Sequence, residues 1–239
     1  METTAMPRRA SRPKIRPSSA VSMLPPPITT IGIWTTRETE IDDDVPSPDP
    51  LTASVAAYSA HADTYAETHA AKMLEQVRRF ANSLPTPSRI LDAGCGPGRD
   101  LARFADHGHV PVGVDLNPTF VSMANLHAPT SQCDLRDVDK HFPERSFDGI
   151  WAAASLVHLD VPDAEAVLGH FSTLLRPDGR LFLAVRSMGE TGWLDEPDGR
   201  RWYAVWEPAE IVTSVTAAGF VIDEVLPGLY VEVWATRGP

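Results

Sequence analysis

The stretch Ile90-Leu91-Asp92-Ala93-Gly94-Cys95-Gly96-Pro97-Gly98-Arg99-Asp100 constrains this chain more than any other part of it. An apolar run that reads as a strand passes into a helix signal through three closely spaced glycines. Glycine at such a junction permits positive φ and lets a ligand approach the main chain with no side chain between. The spacing then selects among ligands. A dinucleotide pyrophosphate site uses G-x-G-x-x-G, whereas here the order is G-x-G-x-G, with an acid, Asp92, two residues before it. Pro97 removes one backbone N–H that a phosphate would use, and no Gly-Lys-Ser/Thr follows, which excludes a P-loop. A second acid, Asp115, ends the next predicted strand (110–115). A carboxylate there can accept from both ribose hydroxyls of a nucleoside and repels a 2′-phosphate. Asp134, at the end of a short third strand, is placed to accept from an adenine amino group.

Around this loop, helix and strand signals alternate. Helices are expected over 51–65, 70–84, 100–106, 118–126, 162–175 and 208–218, and strands over 89–92, 110–115, 147–153, 181–186, 220–226 and 230–235. Asn117 before Pro118 makes a strong helix start. Strands alternating with helices predict βαβ units, hence an α/β fold with a mainly parallel sheet covered on both faces. The length of 239 residues suits one such domain. That domain is expected over 51–239. Residues 1–50 hold nine of the 22 prolines, with a basic and an acidic patch, and are expected to be a disordered or loosely docked tail.

Composition narrows the function classes. The formal charge of −11 argues against nucleic acid as partner, because phosphate contacts need Lys and Arg. No apolar run approaches the roughly 20 residues of a membrane helix. Only Cys95 and Cys133 are present, so no disulfide framework exists and a reducing cytoplasm fits. The histidines lack metal-ligand spacing, and no metal is expected.

The glycine loop resembles motif I of the class I S-adenosylmethionine-dependent methyltransferases. The similarity continues in order through Gly113-Val114-Asp115-Leu116-Asn117-Pro118, Cys133-Asp134-Leu135, Phe147-Asp148-Gly149-Ile150-Trp151 and Leu174-Leu175-Arg176-Pro177-Asp178-Gly179-Arg180. It spans the chain from about residue 55 to the end. The resemblance implies a Rossmann-like seven-stranded sheet, mostly parallel, with the last strand antiparallel. It also implies S-adenosylmethionine as methyl donor and S-adenosylhomocysteine as product. Gly94, Cys95 and Gly96 would face the methionine part, Asp115 would hold the ribose, Leu116 would flank the adenine, and Asp134 with Leu135 would read its amino edge. Asp92, Ala152 and Tyr65 would complete the donor site. Arg99 would sit near the donor carboxylate, or would be a solvated first-turn residue. Gly98 serves the site or helix–strand packing.

The segments beyond the donor loops are the candidates for holding the acceptor. The run Ala152-Ala153-Ala154-Ser155-Leu156-Val157-His158 lacks the Asp/Asn-Pro-Pro-Tyr/Phe pattern of enzymes that methylate exocyclic amines of bases. His158 is the histidine here suited to removing an acceptor proton, unless it packs beneath the following loop. Tyr58 and Tyr65 lie seven apart, on one helical face. Arg186 could bind an anionic acceptor group and Trp193 could wall it, on a long glycine-containing connection expected to be a mobile lid. The expected activity is methyl transfer to an oxygen or nitrogen of a small molecule, with oligomeric state open. The rival readings are a donor-binding module without catalysis and, against the glycine spacing, a nicotinamide-dependent reductase.

Overall fold

The computed structural model describes residues 49–239; the expected tail lies almost wholly outside the described residues. Seven strands form one sheet in the order β3-β2-β1-β4-β5-β9-β8: β1 Arg89–Ala93, β2 Val110–Asp115, β3 Thr130–Gln132, β4 Phe147–Ala153, β5 Leu175–Arg186, β8 Phe220–Leu226 and β9 Tyr230–Arg237. Neighbours from β3 through β5 are parallel. β9 runs antiparallel to both β5 and β8, so β9 alone is reversed, as the resemblance implied. The remaining strands, β6 Gly192–Glu196 and β7 Gly199–Tyr203, pair as a separate antiparallel hairpin.

The helices are α1 Pro50–Ala60, α2 Ala62–His69, α3 Leu74–Asn82, α4 Arg99–Asp106, α5 Pro118–Ala124, α6 Val138–His141, α7 Val161–Leu174 and α8 Pro208–Ala217. The central strands are apolar on both sides, as a sheet covered on both faces requires. Leu91, Ile150, Ala152, Leu181 and Leu183 share one core with Val167, Leu168 and Phe171 of α7. Ile90, Trp151, Phe182 and Trp234 share the opposite core with Val77 and Phe80 of α3 and Phe104 of α4. Trp151 stacks on Phe182 with ring centroids 4.0 Å apart. None of the described helices is long and apolar enough to cross a membrane.

Three local expectations need correction. The single helix expected over 51–65 is broken at His61 (φ −131°, ψ 27°), giving α1 and α2. The next helix begins at Leu74 rather than residue 70, because Met73 takes a left-handed conformation, φ 64°. The connection after β5, in which no strand was expected, contains the β6–β7 antiparallel hairpin. Pairing of Gly192–Glu196 with Gly199–Tyr203 satisfies its backbone, and Trp202 N–H donates to Ser54 Oγ of α1 at 3.0 Å.

Candidate active site

The glycine loop takes the conformations that its composition demands. Gly94, Gly96 and Gly98 have φ of 77°, 55° and 91°. A Cβ on Gly94 would stand 2.3 Å from the Cβ of Ser155, and one on Gly98 would stand 2.7 Å from the Cα of Ala124. Gly98 therefore serves packing of α4 against α5. A Cβ on Gly96 would meet nothing within 4 Å, so its main chain borders open space. The loop is tied to β2 by Gly94 N–H and Cys95 N–H, which donate to the Val114 carbonyl at 2.8 and 3.0 Å.

Asp115, at the end of β2, accepts from Gly96 N–H and Asn117 N–H, both at 2.8 Å. Burial nonetheless pushes its carboxyl up to about 6, against the pull of those two bonds. Asn117 caps α5 through Thr119 N–H and accepts from Ser59 of α1 at 3.0 Å, which draws α1 over the loop. The resulting cleft is walled by Leu116, Phe120, Leu135, Tyr58 and Tyr65, with Asp115 and Asp134 on its polar side and His158 at its inner end. The walls leave about 100 Å³.

Asp92 sits where β1 meets the loop. Burial, reinforced by the nearby Asp100 carboxylate, holds its carboxyl well above the usual range. One oxygen, Oδ2, is buried with no hydrogen-bond partner among the described residues. It borders a small recess shared with Gly94, Cys95, Gly96, Arg99 and Tyr65. An orphaned buried carboxylate oxygen beside an open backbone loop is suited to an ammonium group. Arg99 meets Asp100 through two parallel bonds of 2.8 and 2.6 Å and donates to the His69 carbonyl at 3.1 Å. It lines the recess while three of its N–H groups are already engaged. Asp134 borders the cleft, but Arg136 grips both of its oxygens through Nε at 3.1 Å and Oδ2 through Nη2 at 2.6 Å. Against the upward push of burial, those bonds hold its carboxyl below the ordinary value.

Beyond Tyr58 and Tyr65 lies a second cavity of about 500 Å³, bounded also by Ala153, Ala154, Arg186, Arg201, Tyr203 and Tyr230. The two chambers share Tyr58, Tyr65, Ala153 and Ala154 as their common wall. His158 stands against this wall. Its Nδ1 lies 2.6 Å from the Trp202 carbonyl and its Nε2 3.0 Å from the Tyr58 hydroxyl. A carbonyl can only accept, so Nδ1 carries the proton and Nε2 accepts from Tyr58. Burial pushes the imidazole down to about 4. Both nitrogens are thus occupied in a neutral ring, which makes His158 a group that positions Tyr58.

Two expected site residues are elsewhere. Ala152 is fully buried in the α7-side core; strand alternation and the turn at Ala154 (φ 60°) give its place in the cleft to Ala153 and Ala154. Trp193 is 37% exposed on the hairpin, with the Arg200 guanidinium 5.4 Å from its ring centroid, and borders neither chamber. Arg186 does border the second cavity. Its Nε donates to the Met188 carbonyl at 3.1 Å. Arg201 escaped sequence reasoning. It is only 2% exposed, pairs with Glu196 and Asp198, and lies 4.3 Å from the Tyr58 ring centroid. The acid pair flanking the hairpin turn was its one sequence signal. Among the described residues, no three acidic, histidine or cysteine side chains gather as a metal site.

A family model described as a methyltransferase domain matches residues 65–225. The ubiquinone biosynthesis O-methyltransferase of Xanthomonas axonopodis pv. citri (strain 306) is 31% identical over 171 residues, covering 64% of this chain and 70% of that protein. The 27-O-demethylrifamycin SV methyltransferase of Amycolatopsis mediterranei (strain S699) is 36% identical over 115 residues, covering 44% of this chain and 42% of that protein. Among solved structures, the Burkholderia thailandensis 1,6-didemethyltoxoflavin-N1-methyltransferase, with bound 1,6-didemethyltoxoflavin and S-adenosylhomocysteine, superposes with a TM-score of 0.65 at 25% identity. That match covers 82% of this chain and 93% of that one.

Proposed function

The chain belongs to the methyltransferase-domain family and is a class I S-adenosylmethionine-dependent methyltransferase; from that premise we propose that its acceptor is a small molecule held in the cavity beyond Tyr58 and Tyr65. The observation that carries this reading is the common wall of Tyr58, Tyr65, Ala153 and Ala154, which separates the cleft beside Asp115 and Asp134 from a second, larger cavity. A cavity of about 500 Å³ is of the size that holds a small molecule. The small-molecule acceptors named for the similar enzymes agree with it, and so does the charge of −11, which opposes nucleic acid.

In this reading Asp115 accepts from the ribose hydroxyls, Leu116 and Leu135 flank the adenine, and Asp134 takes its amino edge while remaining fixed by Arg136. The orphaned Asp92 Oδ2 receives the donor's ammonium, with Gly94, Cys95 and Gly96 offering main chain alongside and the free N–H groups of Arg99 facing the carboxylate. When bound, the donor supplies a methyl group already activated by its positively charged sulfur. The demand on the side chains is therefore alignment and water exclusion. Tyr58, its proton directed to His158 Nε2, can meet an acceptor N–H or O–H only as a hydrogen-bond acceptor. The acceptor nucleophile is an oxygen or nitrogen. The paired absence of disulfides and presence of two free cysteines fits a reducing, cytoplasmic setting.

Incubation with methyl-labelled donor and a cell extract, followed by separation into small molecules, protein and nucleic acid, tests the proposal. Label in the small-molecule fraction is the expected result. Label confined to protein or nucleic acid would overturn it.

A further inference from the structure

The chain has four tyrosines, and all four, Tyr58, Tyr65, Tyr203 and Tyr230, line the second cavity. They arrive from three separate parts of the fold: α1 and α2, the β6–β7 hairpin, and the start of β9. Such convergence gives flat, rigid aromatic walls at small entropic cost. The charged groups in the walls are not matched in the same way. Arg201 is paired with Glu196 and Asp198, and Arg99 with Asp100. Glu232 accepts from the Gln76 amide at 2.8 Å. Arg186 is half-buried and has no carboxylate within salt-bridge distance among the described residues. Its guanidinium lies 5.1 Å from the Tyr203 ring centroid and beside the Tyr230 hydroxyl, and its Nε donates to the Met188 carbonyl. Its two terminal nitrogens, without a carboxylate among the described residues, form a planar fork suited to an anion. Lys72 adds a second such cation at the exposed rim.

Resting on the reading of this cavity as the acceptor site, we propose that the acceptor is a planar aromatic or heteroaromatic acid. Its ring lies among the four tyrosines and its acidic group on Arg186. The Arg186 fork sets the end-to-end orientation of the molecule, which decides which nucleophile faces the common wall with the donor cleft. Neutral relatives of the same shape bind without that anchor, and saturated relatives bind without the aromatic contacts.

The test uses 6-hydroxy-2-naphthoate, its neutral carboxamide and its fully saturated decalin analogue. Each is titrated calorimetrically into the full chain, with and without S-adenosylhomocysteine. The acid should bind at least tenfold more tightly than the amide and than the saturated acid. Arg186→Met should lower affinity for the acid to that for the amide, leaving the amide within twofold. Arg186→Lys should restore part of the preference, which separates loss of charge from misfolding. Equal binding of acid and amide by the wild type, no binding of any probe, or an acid preference that survives Arg186→Met would overturn the anion site. Equal binding of the aromatic and saturated acids would overturn the aromatic requirement. Failure of S-adenosylhomocysteine to bind, with the acid still preferred, would instead strike the donor reading and leave the chemistry of the cavity standing.

Discussion

Asp115→Asn isolates the carboxylate on which the donor site turns. Asp115 receives two backbone N–H bonds of 2.8 Å, yet burial raises its carboxyl to about 6 from an ordinary 3.8. That difference corresponds to about 3 kcal/mol of folding stability withheld at neutral pH. The sign follows from linkage. Between 3.8 and about 6 the folded chain holds a proton that the unfolded chain has released, so this residue's contribution grows as pH falls through 6. The asparagine variant has no such dependence. Its stability relative to wild type should therefore decline by about 3 kcal/mol from pH 7 to pH 4. At neutral pH the variant also misdirects one N–H bond, at a cost of about 1 kcal/mol, which partly offsets the relief of the buried charge. Donor affinity moves the other way. Ribose hydroxyls donate to an ionised acceptor, worth about 1.5–3 kcal/mol, so the variant should bind S-adenosylhomocysteine roughly 10- to 100-fold more weakly at pH 7.5. Wild-type affinity should fall about tenfold between pH 7.5 and pH 5 as Asp115 protonates, and this fall should be absent from the variant. Calorimetric titration at both pH values, with chemical denaturation at each, measures all of these. Equal affinity of wild type and variant, or a pH-dependent fall of the same size in both, would refute the reasoning.

Other residues give sharper single outcomes. Gly94→Ala forces a side chain into φ 77° and against Ser155 Cβ; the conformation alone costs about 1–2 kcal/mol, and scanning calorimetry should show Tm lower by at least about 3 °C. Trp193→Ala should leave stability within about 0.5 kcal/mol and the acceptor KM unchanged in steady-state assays, because Trp193 borders neither chamber. His158, held neutral by burial to about 4, should add no acid limb near pH 6.5 to kcat at saturating donor. The same depression means that its stability contribution is lost as pH falls from 6.5 toward 4; a kcat limb at 6.5 would make it the base after all. A chain beginning at Pro46 should keep the donor affinity and Tm of the full chain, since the described donor cleft draws its walls from Leu51 onward.

The donor loop was legible because its information is local. Positive φ at Gly94, Gly96 and Gly98, the cap at Asn117 and the strand-end Asp115 all depend on residues close in sequence. The seven-stranded, mostly parallel sheet with its reversed last strand followed from the family resemblance rather than from periodicity. What escaped depends on long-range placement. Ala152 and Ala153 differ only in which face of β4 they occupy, and a one-residue choice in strand phase moves a side chain from cleft to core. The β6–β7 hairpin was hidden because its residues alternate weakly and its turn, Pro197-Asp198, reads as a loop. With the hairpin unseen, nothing near in sequence singled out Arg201, which is buried against Tyr58. His158 borders the cleft, but the contacts of its two nitrogens with Trp202 and Tyr58 come from distant segments and could not be read from its neighbours in sequence.

The central claim, two chambers meeting at one wall, is tested most directly by a crystal structure of the complex with S-adenosylhomocysteine. The account predicts ribose hydroxyls within hydrogen-bond distance of Asp115, the ammonium beside Asp92 Oδ2, and the sulfur directed at the wall of Tyr58, Tyr65, Ala153 and Ala154. A nucleoside bound elsewhere, or a sulfur facing away from that wall, would contradict it.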